Sequence, residues 1–162
     1  MRSANMFLGA LGVERAVMQD CVFEPQPTGQ LAAVVRVRPT KKEQSRCAVC
    51  SRRCPGYDRG EGVRRWRAMD LGMCMTWVEA EAPRVSCPRH GVGVQRVPWA
   101  RAGSGFVYAF EQLCAWLAVR TDKTTLSSLL RIAWRTVGAI VERVAQAALA
   151  QFDPLQGLLR IG

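Results

Sequence analysis

The sequence predicts an α+β fold, in which a small β-rich, zinc-ribbon-like module leads into an all-α helix-turn-helix unit of three helices. Three observations predict it. Strand-forming β-branched and aromatic residues occupy the candidate strands up to Val85, whereas apolar residues recur three or four apart after Pro98. Two short segments, Cys47-Ala48-Val49-Cys50 and Cys87-Pro88-Arg89-His90, each hold two metal-ligand side chains separated by two residues. A run of helix-capping residues, Thr121-Asp122-Lys123-Thr124-Thr125, punctuates the helical half.

In chain order, residues 7–12 suit a short helical turn, and 13–23 and 31–37 suit two strands. The turn cluster Pro25-Gln26-Pro27-Thr28-Gly29 between them makes this a hairpin, so 1–45 reads as an N-terminal β-hairpin segment. Residues 46–98 read as a zinc-binding β module with further strands at 64–71 and 75–85. A helix is expected over 104–120, with Phe106, Phe110, Leu113 and Leu117 on one face. Leu126, Leu129 and Leu130 mark a second, short helix. The third starts near Trp134, placed in core packing ahead of covering a sugar-phosphate edge, and lines up Val137, Ile140, Val141 and Val144. Residues 104–150 thus read as a helix-turn-helix domain.

Charge narrows the partner. The 162 residues carry 23 Lys and Arg against 13 Asp and Glu, a formal net charge of +10, which attracts phosphate polymers or anionic surfaces. Genomic base composition explains the preference for Arg over Lys better than it explains the net charge. No apolar run of about 18 residues or more, and no basic stretch leading into an apolar signal core, points to a membrane. A cytoplasmic protein is expected. In a reducing compartment, seven cysteines are metal ligands or small buried residues rather than a paired disulfide framework.

Two tight turns with ligands at that spacing can complete a tetrahedron around one structural zinc ion (Zn2+) from Cys47, Cys50, Cys87 and His90. Cys54 is an alternative ligand that would displace His90. An iron–sulfur cluster on Cys47, Cys50 and Cys54 with Cys74 or Cys87 is a further alternative, although the spacing fits no standard cluster motif. Buried cysteines beside a surface histidine are the plainest one. Cys21, Cys74 and Cys114 read as core. With all four positions filled by protein groups the zinc has no open site for water, so it is not catalytic.

A helix-turn-helix sends its last helix into the major groove. That helix would present Arg135, Thr136, Ala139 and Arg143 to base edges, with Lys123, Thr124, Thr125 and Arg131 on phosphates. Arg52, Arg53, Arg64, Arg65 and Arg67, around the first cysteine pair, are further phosphate candidates. A plain three-helix bundle has the same periodicity; the charge and the adjoining zinc unit favour DNA.

The chain resembles the ISL-three-type family of bacterial insertion-sequence transposases. The resemblance rests on the Cys47–Cys50 knuckle, the run Arg64-Arg65-Trp66-Arg67-Ala68-Met69-Asp70-Leu71-Gly72, the segment Pro83-Arg84-Val85-Ser86-Cys87-Pro88-Arg89-His90-Gly91, and the helical Arg135-Thr136-Val137-Gly138-Ala139-Ile140-Val141. It implies recognition of terminal inverted repeats in double-stranded DNA, with a homodimer or a full-length transposase as possible partner. It also implies that 151–162 is the truncated start of a catalytic domain, whose three acidic residues would lie beyond it. This chain alone is therefore not expected to be an enzyme. Many relatives carry Cys where His90 stands. A zinc-dependent protein–protein adaptor or a transcriptional repressor is the alternative function.

Overall fold

The computed structural model describes residues 2–151, and the strand start expected near the C-terminus lies outside them. In chain order the elements are α1 (Arg2–Ala10), β1 (Ala16–Pro25), β2 (Leu31–Pro39), β3 (Gly56–Asp58), β4 (Val63–Leu71), β5 (Cys74–Glu81), β6 (Arg84–Cys87), β7 (Gly91–Val94), α2 (Tyr108–Ala118), α3 (Lys123–Leu130) and α4 (Trp134–Gln151). They form two compact units that meet in the chain between Phe110 and Glu111.

The first unit contains two sheets. One has the order β1-β2-β5-β4, antiparallel except for the parallel pair β2–β5. The expected hairpin is present, closed by the Gln26 N–H on the Gln30 carbonyl at 2.8 Å. Its second strand also pairs with β5, from Ala32 opposite Met75 to Arg36 opposite Glu79. One hydrogen-bonded sheet therefore crosses the division expected at 45/46. A strand covered on both faces reads as a continuous apolar run, and Ala32, Ala33, Val34 and Val35 are all buried.

The second sheet, β3-β6-β7, is antiparallel. The single strand expected at 75–85 is in fact β5 and β6 in different sheets. Between them Pro83 has no N–H to donate to a ladder, and its carbonyl instead accepts from the Gln95 N–H at 2.9 Å. Trp66 and Trp99 meet edge to face in the core, with centroids 5.6 Å apart, a geometry worth about 1 kcal/mol beyond the area buried.

The helix expected from 104 starts later, at Tyr108. Residues just before it are held extended by bridges from Arg67 to Phe106 and from Ala100 to Val107. Ser104 turns the chain by accepting the Phe106 N–H on Oγ at 3.0 Å.

In the second unit Asp122 caps α3, accepting the N–H groups of Thr124 and Thr125 at 2.9 and 3.0 Å and the Thr125 hydroxyl at 2.6 Å. Arg131 ends α3 in the left-handed region, at φ 53° and ψ 46°, and its N–H bonds back to Ser127 and Ser128. That cap makes the turn into α4. Leu126 and Leu130 of α3 and Val137 and Ile140 of α4 are buried, while Leu129, expected on the same stripe, is 62% exposed. Trp134, expected to pack in a core, is 58% exposed. Cys114 is buried as expected, but Cys21 and Cys74 are half-exposed.

Candidate metal centre and nucleic-acid interface

Each knuckle is the tip of a β turn. In the second, β6 ends at Cys87 opposite Gly91 of β7, so Pro88, Arg89 and His90 form the turn, and Gly91 leaves it at φ 73°. In the first, Arg46 pairs with Arg53 and the Ser51 N–H bonds to the Cys47 carbonyl at 3.0 Å. Ser51 leaves that turn at φ 58°, a conformation that costs a non-glycine residue about 1–2 kcal/mol. A bridge from Cys47 to Gln95, just past the end of β7, ties the first turn to the strand that leaves the second.

The ligand atoms of Cys47, Cys50, Cys87 and His90 all lie within 4.8 Å of one another. Two sulfurs about 2.3 Å from a tetrahedral centre stand about 3.8 Å apart, and a sulfur and an imidazole nitrogen about 3.6 Å. The structure has Cys50 Sγ to Cys87 Sγ at 3.8 Å, Cys47 Sγ to His90 Nδ1 at 3.6 Å and Cys87 Sγ to His90 Nδ1 at 3.5 Å. The spacing suits one tetrahedral ion.

Local electrostatics separate the sulfurs. The backbone N–H of Arg89, with that of His90, brings the Cys87 thiol down to about 7 against the effect of burial. The N–H groups of Cys50 and Val49 lower Cys47 in the same way. The Arg52 N–H pulls Cys50 down, but burial and the neighbouring sulfurs of Cys47 and Cys87 leave it raised. Burial raises Cys54, which packs beside the cluster but turns its thiol to the Arg52 carbonyl at 3.4 Å, outside the group of four.

The arginines named from the sequence have different surroundings. Arg52 and Arg53 are exposed, and Arg53 reaches the Lys41 carbonyl at 3.5 Å. Arg64 lies over Trp66, 5.4 Å from the ring centroid. Arg65 is held by Glu24 through two bonds of 3.0 Å and by Glu79 at 2.7 Å, within a cross-strand network that includes Arg36 and Asp20. Arg67 is a correction to the expected phosphate contacts. It is 2% exposed and paired with Asp70, donates to the carbonyls of Ala68 and Thr76, and lies over the rings of Trp77 and Phe110. A buried guanidinium with those partners orders the core and is not presented to DNA.

Sequence reasoning missed a cavity of about 280 Å³ beside the knuckles, lined by Arg64, Arg96, Arg101, His90 and Trp66 among others, with no Asp or Glu in its lining. Its walls come from segments far apart in the chain, so no local motif announces it.

In the second unit, Lys123 and Thr124 are exposed at the start of α3, while the Thr125 hydroxyl is committed to Asp122. Arg131 is half-buried in its capping role. On α4, Arg135 and Ala139 are exposed and Thr136 is half-buried. Arg143, expected as a base reader, is a third exposed and is tethered within its own unit: its Nε donates to Oε1 of the fully buried Glu111 at 3.0 Å, and its Nη2 is ion-paired with the same oxygen at 3.0 Å.

Among the described residues, no helix is long and apolar enough to cross a membrane. The zinc-finger of transposase IS204/IS1001/IS1096/IS1165 matches residues 43–90, and the helix-turn-helix domain of transposase family ISL3 matches residues 95–145. The chain is 48% identical over 164 residues to the transposase for insertion sequence element IS1557 of Mycobacterium tuberculosis, both in strain CDC 1551 / Oshkosh and in strain ATCC 25618 / H37Rv. These matches cover 100% of this chain and 37% of each relative, so the chain spans little over a third of the length of the curated relatives it matches. No solved structure matches it. With both modules matched in order and the whole chain aligned to part of a transposase, the chain corresponds to the N-terminal zinc-ribbon and helix-turn-helix regions of an ISL3-family transposase.

Proposed function

We propose that the chain recognises the terminal inverted repeats of an insertion sequence as double-stranded DNA, with α4 as the reading helix. The observation that carries this is the outward face of α4, where Arg135, Gly138, Ala139 and Glu142 recur at i, i+3, i+4 and i+7. Homeodomain recognition helices present their base-contacting side chains to the major groove at the same spacing. Arg135 forks onto guanine and the Ala139 methyl meets a thymine methyl. Lys123, Thr124 and Arg131 in the second unit, and Arg52, Arg53 and Arg64 in the first, meet phosphates and set the salt dependence.

Cys47, Cys50, Cys87 and His90 hold the metal, which by its thiolate-rich tetrahedral donor set is zinc. When bound, zinc cross-links the two turn tips. With four protein ligands it serves the fold rather than catalysis. Recognition is the task of this region; strand cleavage and transfer need a full-length transposase acting with it. Exposed Trp116, Val119 and Leu149 offer apolar contacts to that partner or to a second copy. A site on the nucleoid in the bacterial cytoplasm follows from the DNA.

A mobility-shift titration of the zinc-loaded chain with terminal-repeat and unrelated duplexes tests the reading. Tighter binding to the repeat is expected, weakening steeply between about 50 and 200 mM salt, with no nicking when magnesium is added. Equal affinity for both duplexes overturns it.

A further inference from the structure

Glu142 is an anomaly on the face described above. It is exposed on α4 of a chain with net charge +10, and among the described residues it has no cationic partner. Most other acids of the described residues are engaged, with Glu14, Glu61 and Glu81 of the first unit the other exposed acids outside an ion pair or a helix cap. Glu24 and Glu79 hold Arg65, Glu43 lies by Arg15 and Arg46, Asp58 holds Arg84, and Asp122 caps α3. A carboxylate pointing from a helix that approaches a polyanion repels it, so the residue weakens indiscriminate binding. Its tolerable use at such a place is as a directional acceptor.

The geometry prepares it for that use. One turn further on, the Gln146 amide donates to Glu142 Oε1 at 3.3 Å, which restricts the carboxylate and leaves Oε2 to accept another bond. The exocyclic N4 amino group of cytosine is the major-groove donor that a carboxylate reads. Arg135 stands seven residues earlier, about 10 Å along the axis at 1.5 Å per residue, or about three base-pair steps at 3.4 Å each.

We infer that Glu142 is a specificity-determining residue that accepts from a cytosine N4 amino group in the major groove, with Gln146 as its positioning residue. The inference rests on α4 being the reading helix. It makes the recognised sequence a guanine, met by Arg135, and a cytosine about three steps away.

The test is selection of bound duplexes from a randomised double-stranded DNA library by the zinc-loaded chain, wild type and Glu142→Ala. Competition titrations with the four bases at the selected position follow, and helical content by circular dichroism verifies folding. The wild type should enrich cytosine at that position. Glu142→Ala should lose roughly 10- to 100-fold of the preference for cytosine over the other bases, without weaker binding to those others. Gln146→Ala should blunt the preference in the same direction.

A wild-type motif that survives in Glu142→Ala, with affinity raised equally for all four bases, overturns the inference alone and leaves the carboxylate as a repelling charge. A wild-type chain that enriches no motif overturns the DNA-reading assignment and the inference with it.

Discussion

Replacing Arg143 with Met should destabilise the second unit rather than only weaken DNA binding. Glu111 is 0% exposed and Arg143 is 32% exposed, with guanidinium Nε and Nη2 each 3.0 Å from Oε1. Opposite unit charges about 4 Å apart interact by about 4 kcal/mol at an effective dielectric of 20. Removing one member of a fully buried pair costs about 3–5 kcal/mol, because the other charge is left in a poor solvent. Water reaching a third of Arg143 screens part of this, so about 2–3 kcal/mol is expected for Arg143→Met. Urea unfolding followed at 222 nm, where helix dominates, reads the difference. A double-mutant cycle with Glu111→Leu isolates the coupling, since removing both charges should recover much of the loss. If Arg143→Met lost less than about 0.5 kcal/mol, the size of an ordinary surface substitution, the pair would not be structural and Arg143 would return to the candidate base readers.

Cys87→Ser should abolish stoichiometric zinc in metal analysis of the purified chain, whereas Cys54→Ser should retain it; the reverse pattern would exchange their roles. Gly138 lies inside α4, and a Cβ built there meets no atom within 4 Å. Gly138→Ala should therefore raise stability by about 0.5–1 kcal/mol through helix propensity, yet weaken DNA binding by holding the helix off the groove. Improved stability with unchanged binding would place the DNA elsewhere. Burial raises the Glu79 carboxyl, but Arg36 and Arg65 more than reverse this and leave it below its ordinary value. A depressed carboxyl stabilises the fold above the unfolded pKa of about 4.3 and loses that contribution as pH falls through the folded value. Acid titration of wild-type stability should show this loss below about pH 4.3, and Glu79→Gln should show a smaller one. An identical acid dependence in the two proteins would rule out the network as its source.

The readable parts of the site were those written within one turn of chain. Cys47 with Cys50 and Cys87 with His90 advertise a ligand pair because a tight turn aims both side chains the same way, and the structure brings these four together. Asp122 advertises a cap because its acceptors reach N–H groups two and three residues on. Arg65, Arg67 and Arg143 could not be sorted in that way. Arg65 and Glu24 are 41 residues apart and Arg143 and Glu111 are 32 apart, so in sequence both look like free cations in a basic protein, and Arg67, whose partner Asp70 is only three residues on, shows its core role only through its burial. Glu142 was visible on the polar side of its helix, but its lack of a cationic partner is a property of the folded surroundings.

The sequence by itself determined the order of the modules, the two ligand pairs, the cap and the periodicity of α4, since each depends on neighbours a few residues away. Only the tertiary structure decided that β2 joins the N-terminal hairpin to β5 in one sheet, that the chain stays extended through Val107, and which arginines remain available to a phosphate. Those outcomes depend on strand register and on which distant carboxylates are brought within hydrogen-bond reach, and local spacing carries no record of either.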